Sequence, residues 1–451
     1  MPARRTKRRC TRRRIGRVSV YSHHGAWWIY YRDGATPVRR RIGIDAVEAE
    51  RIAAEVNSQV TNASPTLFAF TPISVAPLIS DFLEHHEVVL RSSVATIRRY
   101  SSALNHLVDF ASSRRVEPKA HELSASEFVK FLRCRRVAPN GHPNTGKRLL
   151  RDKGVQFILE VCRSLYSYAQ RQRCLPPYAQ NPFAELRLDR MRIDDRKPVF
   201  VFDEDTELRF LREAKSWEFP IHLTLAKTGI RPGELCHLLI EEVDLKNGWI
   251  SVRNKQDLGW ATKTRNERTI PLITELRSIF RRVIGSRPNG PIFRRTQFVP
   301  TAGDFANPSR SDLVRALQTR IVAESQRIGR AVNRQEQLKL ASSVWRDSGA
   351  FDPDQIRRSF IRIAKRCGLE NATCSKSWRH SFATLLQDAN VDPLLRQITL
   401  GHQPTGASGA LGMTGIYSHS RPETLAREID RALRTWPQVL KFALEFTNGA
   451  T

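Results

Sequence analysis

Any fold open to this chain must accommodate a large excess of positive charge. Of its 451 residues, 74 are Lys or Arg and 45 are Asp or Glu, a formal net charge of +29. The isoelectric point is near 10.6. Yet 40% of the residues are hydrophobic, enough for real cores, so the chain is not a disordered polyelectrolyte. The arrangement available to it is apolar faces turned inward and basic faces turned outward. A surface of that sign matches a polyanion, most often nucleic acid; a membrane surface or a ribosome is the other class it serves. The length fits two to four domains.

Seven cysteines, at 10, 134, 162, 174, 236, 367 and 374, form no CxxC pair. Their wide spacing and odd number favour a reducing compartment over a disulfide framework. Cys367, Cys374 and His380 lack the second tight pair of a zinc template, so no metal is expected. No apolar run reaches membrane-spanning length. The charged N-terminus is not followed by an apolar segment, which argues against a secretory signal. The expected setting is cytoplasmic, on the nucleoid.

The pattern along the chain is mainly α with small β elements, an α+β organisation. Residues 1–17 are a basic tail, expected to be disordered when free; it either runs along phosphates or serves as a solubilising or sorting tail. Residues 18–62 change character. Val18–Tyr21, Trp27–Tyr31 and Val38–Ile42 read as short strands with turns at Gly25 and Asp33-Gly34. Asp45, with Glu48 three residues on, opens a helix whose apolar stripe is Ala49, Ile52, Ala53 and Val56. This small sheet carries Arg39, Arg40 and Arg41, which either enter a DNA groove or lie exposed on a stabilising mini-domain.

A Ser/Thr/Pro stretch at 63–72 reads as a linker. Residues 72–190 then show helical periodicity: Leu78, Ile79, Phe82 and Leu83; Ile97, Tyr100, Leu104, Leu107 and Val108; and Val155 to Ala169, stopped by Pro176-Pro177. Arg98, Arg99, Lys147, Arg148 and Arg151 fall on the opposite, basic faces. A further unit spans 196–440, with a tail at 441–451. It is helical except for a hairpin of Trp249–Val252 and Arg268–Ile270, between which lies Lys263. Residues 297–350 form an enlarged insertion, with Leu313, Leu317, Ile321 and Leu340 marking helices. It either contacts DNA or another subunit, or is a tolerated surface insertion. Leu425, Ile429, Leu433, Val439, Leu440 and Phe442 mark terminal amphipathic helices.

Tyr417 is the last tyrosine of the chain and the first since Tyr178. It follows a set of cations: Arg231, Lys263, Lys376, Arg379 and His402. A tyrosine hydroxyl is a poor nucleophile at neutral pH, and such cations would make chemical sense around a phosphodiester.

The segments around these residues sharpen the reading. Thr228-Gly229-Ile230-Arg231-Pro232-Gly233-Glu234-Leu235 resembles the first arginine box of the tyrosine recombinases, the phage integrase family. Lys263 in Thr262-Lys263-Thr264 matches that family's hairpin lysine. Trp378-Arg379-His380-Ser381-Phe382-Ala383-Thr384 resembles the second arginine box. Leu400-Gly401-His402 and Ile416-Tyr417-Ser418-His419 resemble the two boxes that follow. One box alone is weak; the set in the family's order over roughly residues 200–435 is specific. The resemblance extends to 72–190 as a helical, SAM-like core-binding domain and to 18–62 as an arm-type domain.

What the resemblance implies is a catalytic domain of the DNA breaking-rejoining type. Arg231 and Arg379 would clamp the non-bridging phosphate oxygens. Tyr417 would attack and form a 3′-phosphotyrosine. Lys263 would protonate the leaving 5′-oxygen, and His402 would donate to a phosphate oxygen or orient it. No cofactor and no metal is called for. Two departures stand out. Lys376 occupies the usual histidine position, keeping a donor and a charge but losing the ability to accept a proton near neutral pH. The His402–Tyr417 segment is longer than usual and rich in Gly, Ser and Thr, which would let Tyr417 act in its own or in a neighbouring subunit's site. Glu234 reads as a structural partner of a nearby cation, and His380 and His419 as packing or capping groups.

The expected partners are double-stranded DNA and further copies of this chain, a tetramer in the synapse, with the C-terminal helix docked on a neighbour or else packed on its own domain. Accessory DNA-bending or directionality proteins are also expected. The alternatives are a type IB topoisomerase or telomere resolvase, and a non-catalytic DNA-binding protein that has kept the fold.

Overall fold

The structure, a computed structural model, describes residues 12–33, 36–62, 66, 68–138, 144–176, 179–194, 198–299, 305–401 and 421–448. The chain divides into two compact units, Met1–Arg196 and Lys197–Thr451, each with cores of its own. Among the described residues, no helix is long and apolar enough to cross a membrane.

The first unit begins with an antiparallel sheet, in spatial order β1 (Arg12–Ile15), β2 (Val18–His23), β3 (Ala26–Asp33) and β4 (Thr36–Gly43). One face is covered by α1 (Ala46–Thr61). Strand alternation sends Val18, Val20, Ile29 and Tyr31 inward to meet Ala49, Ile52, Ala53 and Val56. Asp45 caps α1 as the sequence predicts, accepting from the Val47 amide at 2.9 Å. Glu48 does not close a capping box; it pairs with Arg51 at 2.7 and 2.9 Å.

One expectation for this region needs correcting. Residues 12–15 belong to the predicted disordered tail, but here they form β1. Gly16, at φ 57°, allows a tight reversal. Arg12 then pairs with Tyr21, and Arg13 meets Glu50 of α1. Ladder hydrogen bonds and an opposing carboxylate offset the repulsion of a free basic run. Residues 1–11 lie outside the described residues. Arg39, Arg40 and Arg41 are all exposed on β4, and strand alternation divides them between its two faces. Arg39 and Arg41 pair with Tyr30 and Trp28 on the face away from α1, whereas Arg40 pairs with the core residue Ile29. The Arg39 guanidinium lies 5.2 Å from the Tyr21 ring and 5.0 Å from the Trp28 ring, an exposed cation–π face.

The rest of this unit is helical: α2 (Val75–Glu84), α3 (Val94–Ser112), α4 (Ala125–Cys134) and α5 (Asp152–Arg171), with a short ribbon of β5 (Arg136–Val137) and β6 (Arg148–Leu149). Phe82, Leu104, Leu107, Phe128, Leu159 and Tyr166 build its core. Arg98 and Arg99 are exposed on α3 as expected, and Arg99 caps the Phe157 ring at 4.5 Å. Lys147 and Arg148 are exposed too, but at the ribbon and not on a helix face.

In the second unit, α6 (Glu204–Arg212) precedes α7 (Glu218–Thr228), and every residue of α7 is buried. Then come α8 (Pro232–Cys236) and a sheet of β7 (Val243–Asp244), β8 (Trp249–Val252) and β9 (Arg268–Pro271). Next are α9 (Thr274–Ile284), the insertion helices α10 (Arg310–Ile328) and α11 (Arg334–Asp347), α12 (Pro353–Arg366), α13 (Ser377–Asp388) and α14 (Pro393–Leu400). The chain ends in α15 (Pro422–Leu433) and α16 (Pro437–Asn448). The insertion forms a helical hairpin with a small core of Leu313, Leu317, Ala341, Val344 and Trp345, closed by Leu239 and Leu258.

The C-terminus also differs from expectation. Residues 441–448 are not a tail but the second half of α16. Its apolar face, with Val439, Leu440 and Ala443 buried, packs into this unit's own core. Phe446 stacks on Phe219 with ring centroids 4.1 Å apart, and Arg282 Nη1 donates to the Phe446 carbonyl at 2.7 Å. The face predicted to dock on a neighbouring subunit is thus occupied within the chain, where α6 and α9 receive it together with Phe219 of α7. Phe446→Ala should lower the unfolding free energy by about 2–3 kcal/mol, slightly less than for a fully buried phenylalanine. Urea denaturation checks this; an unchanged midpoint would mean that α16 docks elsewhere.

Candidate active site

The first arginine box is a helix end followed by a helix start. α7 stops at Gly229, whose φ of 61° suits glycine. A Cβ there would lie 2.4 Å from Phe382 Cδ1, so the close approach to α13 also demands glycine. Arg231 then takes the extended N-cap position of α8, with Pro232 in the first turn. Glu234 reaches back to it, accepting from the Arg231 amide at 2.8 Å and from Arg231 Nη1 at 2.8 Å.

Glu234 has a second cation. From β9, Arg268 Nη2 donates to Glu234 Oε2 at 2.7 Å and Nη1 to Oε1 at 3.3 Å, while Nε donates to the Thr399 carbonyl at 2.9 Å. The Glu234 and Arg268 side chains are 2% and 4% exposed, so this is a buried ion pair. Burial alone would raise the Glu234 pKa. Hydrogen bonds and charge from Arg268, then the amide and charge of Arg231, outweigh it and hold the carboxyl below its ordinary value.

The second box lies on α13. Helical spacing sends Trp378, Ser381, Phe382 and Leu385 inward. Trp378 stacks on Phe202 at 3.9 Å, and its indole N–H points to His222 Nδ1 at 3.3 Å. Arg379, one step round the helix, meets the C-terminal ends of two others: Nη1 donates to the Gly229 carbonyl at 2.7 Å and Nη2 to the Leu400 carbonyl. Helix C-termini carry unsatisfied carbonyls and partial negative charge, so a guanidinium is favoured there. Burial, and then the Arg231 charge, push Arg379 down to about 10, which leaves it charged at neutral pH. Lys376 is the exposed N-cap residue of α13.

Lys263 is exposed on the loop between β8 and β9. Asn254 organises that loop: its Oδ1 accepts from the Thr262 amide at 2.9 Å and from Thr262 Oγ1 at 3.1 Å, and its Nδ2 donates to the Arg265 carbonyl at 2.8 Å. On the far side, Thr264 Oγ1 donates to the Gly401 carbonyl at 3.4 Å.

These segments meet at a cleft of about 720 Å³ whose walls include Arg231, Lys263, Lys376 and Arg379. His380, Asp354 and Arg357 also line it, Asp354 and Arg357 pairing at 3.3 Å. Four of the six residues singled out for catalysis are therefore brought together. His402 and Tyr417 lie outside the described residues. The sequence-predicted DNA contacts, Arg39, Arg40, Arg41, Arg98, Arg99, Lys147 and Arg148, belong to the first unit and not to this cleft.

Two residues went unrecognised at this site. Arg268 shares Glu234 with Arg231; its signal was a charged residue at an inward position of an apolar strand. Trp260 lines the cleft but sits in a stretch without periodicity. His380 was read as a packing or capping group; it is exposed and faces the cleft.

Losing the Glu234 charge would leave Arg268 buried and unpaired. Glu234→Gln should cost about 3 kcal/mol of stability at pH 7, the low end for breaking a buried pair. Because the folded pKa of Glu234 is depressed, its contribution is complete above its ordinary value of 4.5 and is lost as pH falls below that. Urea unfolding at pH 7 and pH 4 should find the gap between wild type and variant narrowing in acid; a constant gap would refute the assignment.

Comparison with known proteins places the cleft in context. The model of the Phage integrase family matches residues 205–424. Tyrosine recombinase XerC of Pelotomaculum thermopropionicum is 23% identical over 356 residues, covering 77% of this chain and 95% of that protein. The transposase of transposon Tn916 from Enterococcus faecalis is 28% identical over 123 residues, 24% of this chain and 30% of that protein. Among solved structures, the Tn1549 transposon integrase in complex with a circular intermediate DNA superposes with a TM-score of 0.50 at 18% identity. It covers 80% of this chain and 99% of that one. That likeness is one of fold: small sheets attached to a mainly helical chain.

Proposed function

This chain belongs, over residues 205–424, to the phage integrase family of tyrosine recombinases, and we propose that it is a site-specific DNA recombinase that cuts and rejoins strands through a 3′-phosphotyrosine. The observation that carries this reading is the convergence of Arg231, Lys263, Lys376 and Arg379, from three separate segments, on one cleft.

Each residue has a part in the reaction. Arg231 and Arg379 donate to the non-bridging oxygens of the attacked phosphodiester and stabilise the charge that grows there. Each such donor contributes about 2.7–4 kcal/mol to the transition state. Tyr417 Oη forms the new bond to phosphorus and loses its proton to solvent. The bond from phosphorus to the 5′-oxygen breaks, and that oxygen takes a proton from Lys263 Nζ. His402 donates to a phosphate oxygen. Lys376 adds charge without accepting a proton. The covalent intermediate keeps the bond energy for rejoining, so the exchange needs no cofactor.

Double-stranded DNA is the substrate, in keeping with the net charge of +29 and with the DNA present in the Tn1549 integrase complex. The Arg39–Tyr21–Trp28 face, Arg41, the α3 arginines and the ribbon pair Lys147 and Arg148 supply phosphate contacts outside the cleft. Exchange between two duplexes requires several protomers, and their contact must use surfaces other than the buried face of α16.

A nicked suicide duplex carrying the recombination site tests the chemistry. Wild type should accumulate a covalent protein–DNA adduct, and Tyr417→Phe should form none. Arg231→Ala and Arg379→Ala should each slow adduct formation by about 10²–10³-fold. An adduct that survives Tyr417→Phe would refute the reading. Binding without any wild-type adduct would favour a non-catalytic DNA-binding protein, and relaxation of supercoils without strand exchange would favour a topoisomerase.

A further inference from the structure

We propose that the inserted helical hairpin, α10 and α11, is a clamp that holds the loop bearing Lys263 in its working position at the cleft. This rests on reading Lys263 as the proton donor, and it gives the insertion a positioning role.

The loop runs from residue 253 to residue 267 between β8 and β9. A connection of that length without support would be mobile, and a proton donor displaced by about 1 Å can cost 10²-fold in rate. Here the loop is tied to the insertion at consecutive positions. Arg310, at the start of α10, grips Asp257 with two hydrogen bonds of 3.1 and 2.9 Å. The next residue, Leu258, is buried among Leu313, Leu317 and Val344, and its carbonyl accepts from Trp345 Nε1 at 3.2 Å. Gly259 follows at φ 67°, pressed so close to α11 that a Cβ would lie 2.8 Å from Ala341 Cβ.

From there the order passes toward the lysine. Trp260 stacks on His237 with centroids 4.8 Å apart, and His237 meets the Trp345 ring edge-on at 4.7 Å. Trp260 and Lys255 exchange backbone hydrogen bonds of 2.9 Å, and Lys255 Nζ is anchored on Glu242 at 2.7 Å in the interior. Thr262, 3% exposed, is fixed by Asn254 immediately before Lys263. Lys255, Leu258 and Thr262 are the buried points of this loop, and Lys263 is exposed immediately after the last of them. An insertion that merely decorated the surface would have no need to bury Leu258 of this loop, still less to bond a side chain and a carbonyl at two successive residues and pack against a third.

The test uses the full-length protein carrying Asp257→Asn with Trp345→Phe, which removes the ion pair and the indole hydrogen bond while keeping an aromatic ring at 345. Gly259→Val serves as a second variant that forces the loop off α11. Amide exchange at Trp260, Thr262 and Arg265 should accelerate about tenfold or more, with amides of α7 and α13 unchanged. Cleavage of an ordinary duplex should slow by about tenfold. A duplex with sulfur at the scissile 5′ position should be cut at close to the wild-type rate, because a thiolate leaves without needing a proton. Unchanged loop exchange in both variants, or equal loss on the oxygen and sulfur duplexes, would overturn the clamp. Lys263→Ala on the same two duplexes separates the underlying reading. Equal loss there would remove Lys263 as proton donor, while the exchange data alone would still decide whether the hairpin holds the loop.

Discussion

The carboxylate of Glu234 organises this site. It is buried, accepts from the backbone and side chain of Arg231, and accepts in a two-pronged contact from Arg268. Burying ions costs several kcal/mol each, offset here by forked geometry and by the remaining Arg268 bond to the Thr399 carbonyl. One anion thus binds the start of α8, strand β9 and, through Thr399, the last turn of α14. Arg379 is linked to the same network. It is held by carbonyls at the ends of α7 and α14, the last turn of α14 is the one Arg268 grips at Thr399, and the charges of Glu234 and Arg268 also act on it.

Behind the cleft stands α7, buried along its whole length although it carries Glu218, His222, Thr224, Lys227 and Thr228. Its hydroxyls bond back to carbonyls one turn earlier: Thr224 to Pro220, and Thr228 to Thr224. Lys227 pairs with Glu207 at 2.9 Å. His222, pushed down to about 4 by burial, stays neutral and bridges Ser359 and Trp378. These contacts lock α13 against α7, and with it the angle at which Arg379 leaves its helix. The packing of this core and the charge of the cleft are linked: Trp378 faces the core and Arg379 the cleft because they are neighbours on a helix.

Much of this was legible beforehand. The arginine boxes, the Lys263 hairpin, the strands from Val18 to Ile42, the Asp45 cap and the helical insertion all rest on local pattern, and local pattern is what spacing and capping rules read. The failures were of another kind. Strand β1 lies in a basic run whose only local signal is repulsion; it forms because β2 and Glu50 are there to receive it. The apolar face of α16 was recognised, but which surface it would meet was not. Arg268 and Trp260 carry no motif at all; their roles exist through Glu234, His237 and Trp345, all distant in sequence.

By itself, the amino-acid order determined which residues are candidates for a site, which segments would be helical, and that the chain would carry a large positive charge, because these follow from side-chain type and short-range spacing. Only the tertiary structure decided that Arg231, Lys263, Lys376 and Arg379 share one cleft, that Glu234 joins two arginines, that the insertion grips the lysine loop, and that the last helix packs on its own unit. Those outcomes depend on contacts between residues tens to hundreds of positions apart, and such contacts are selected by the packing of whole surfaces and not by any local run of sequence.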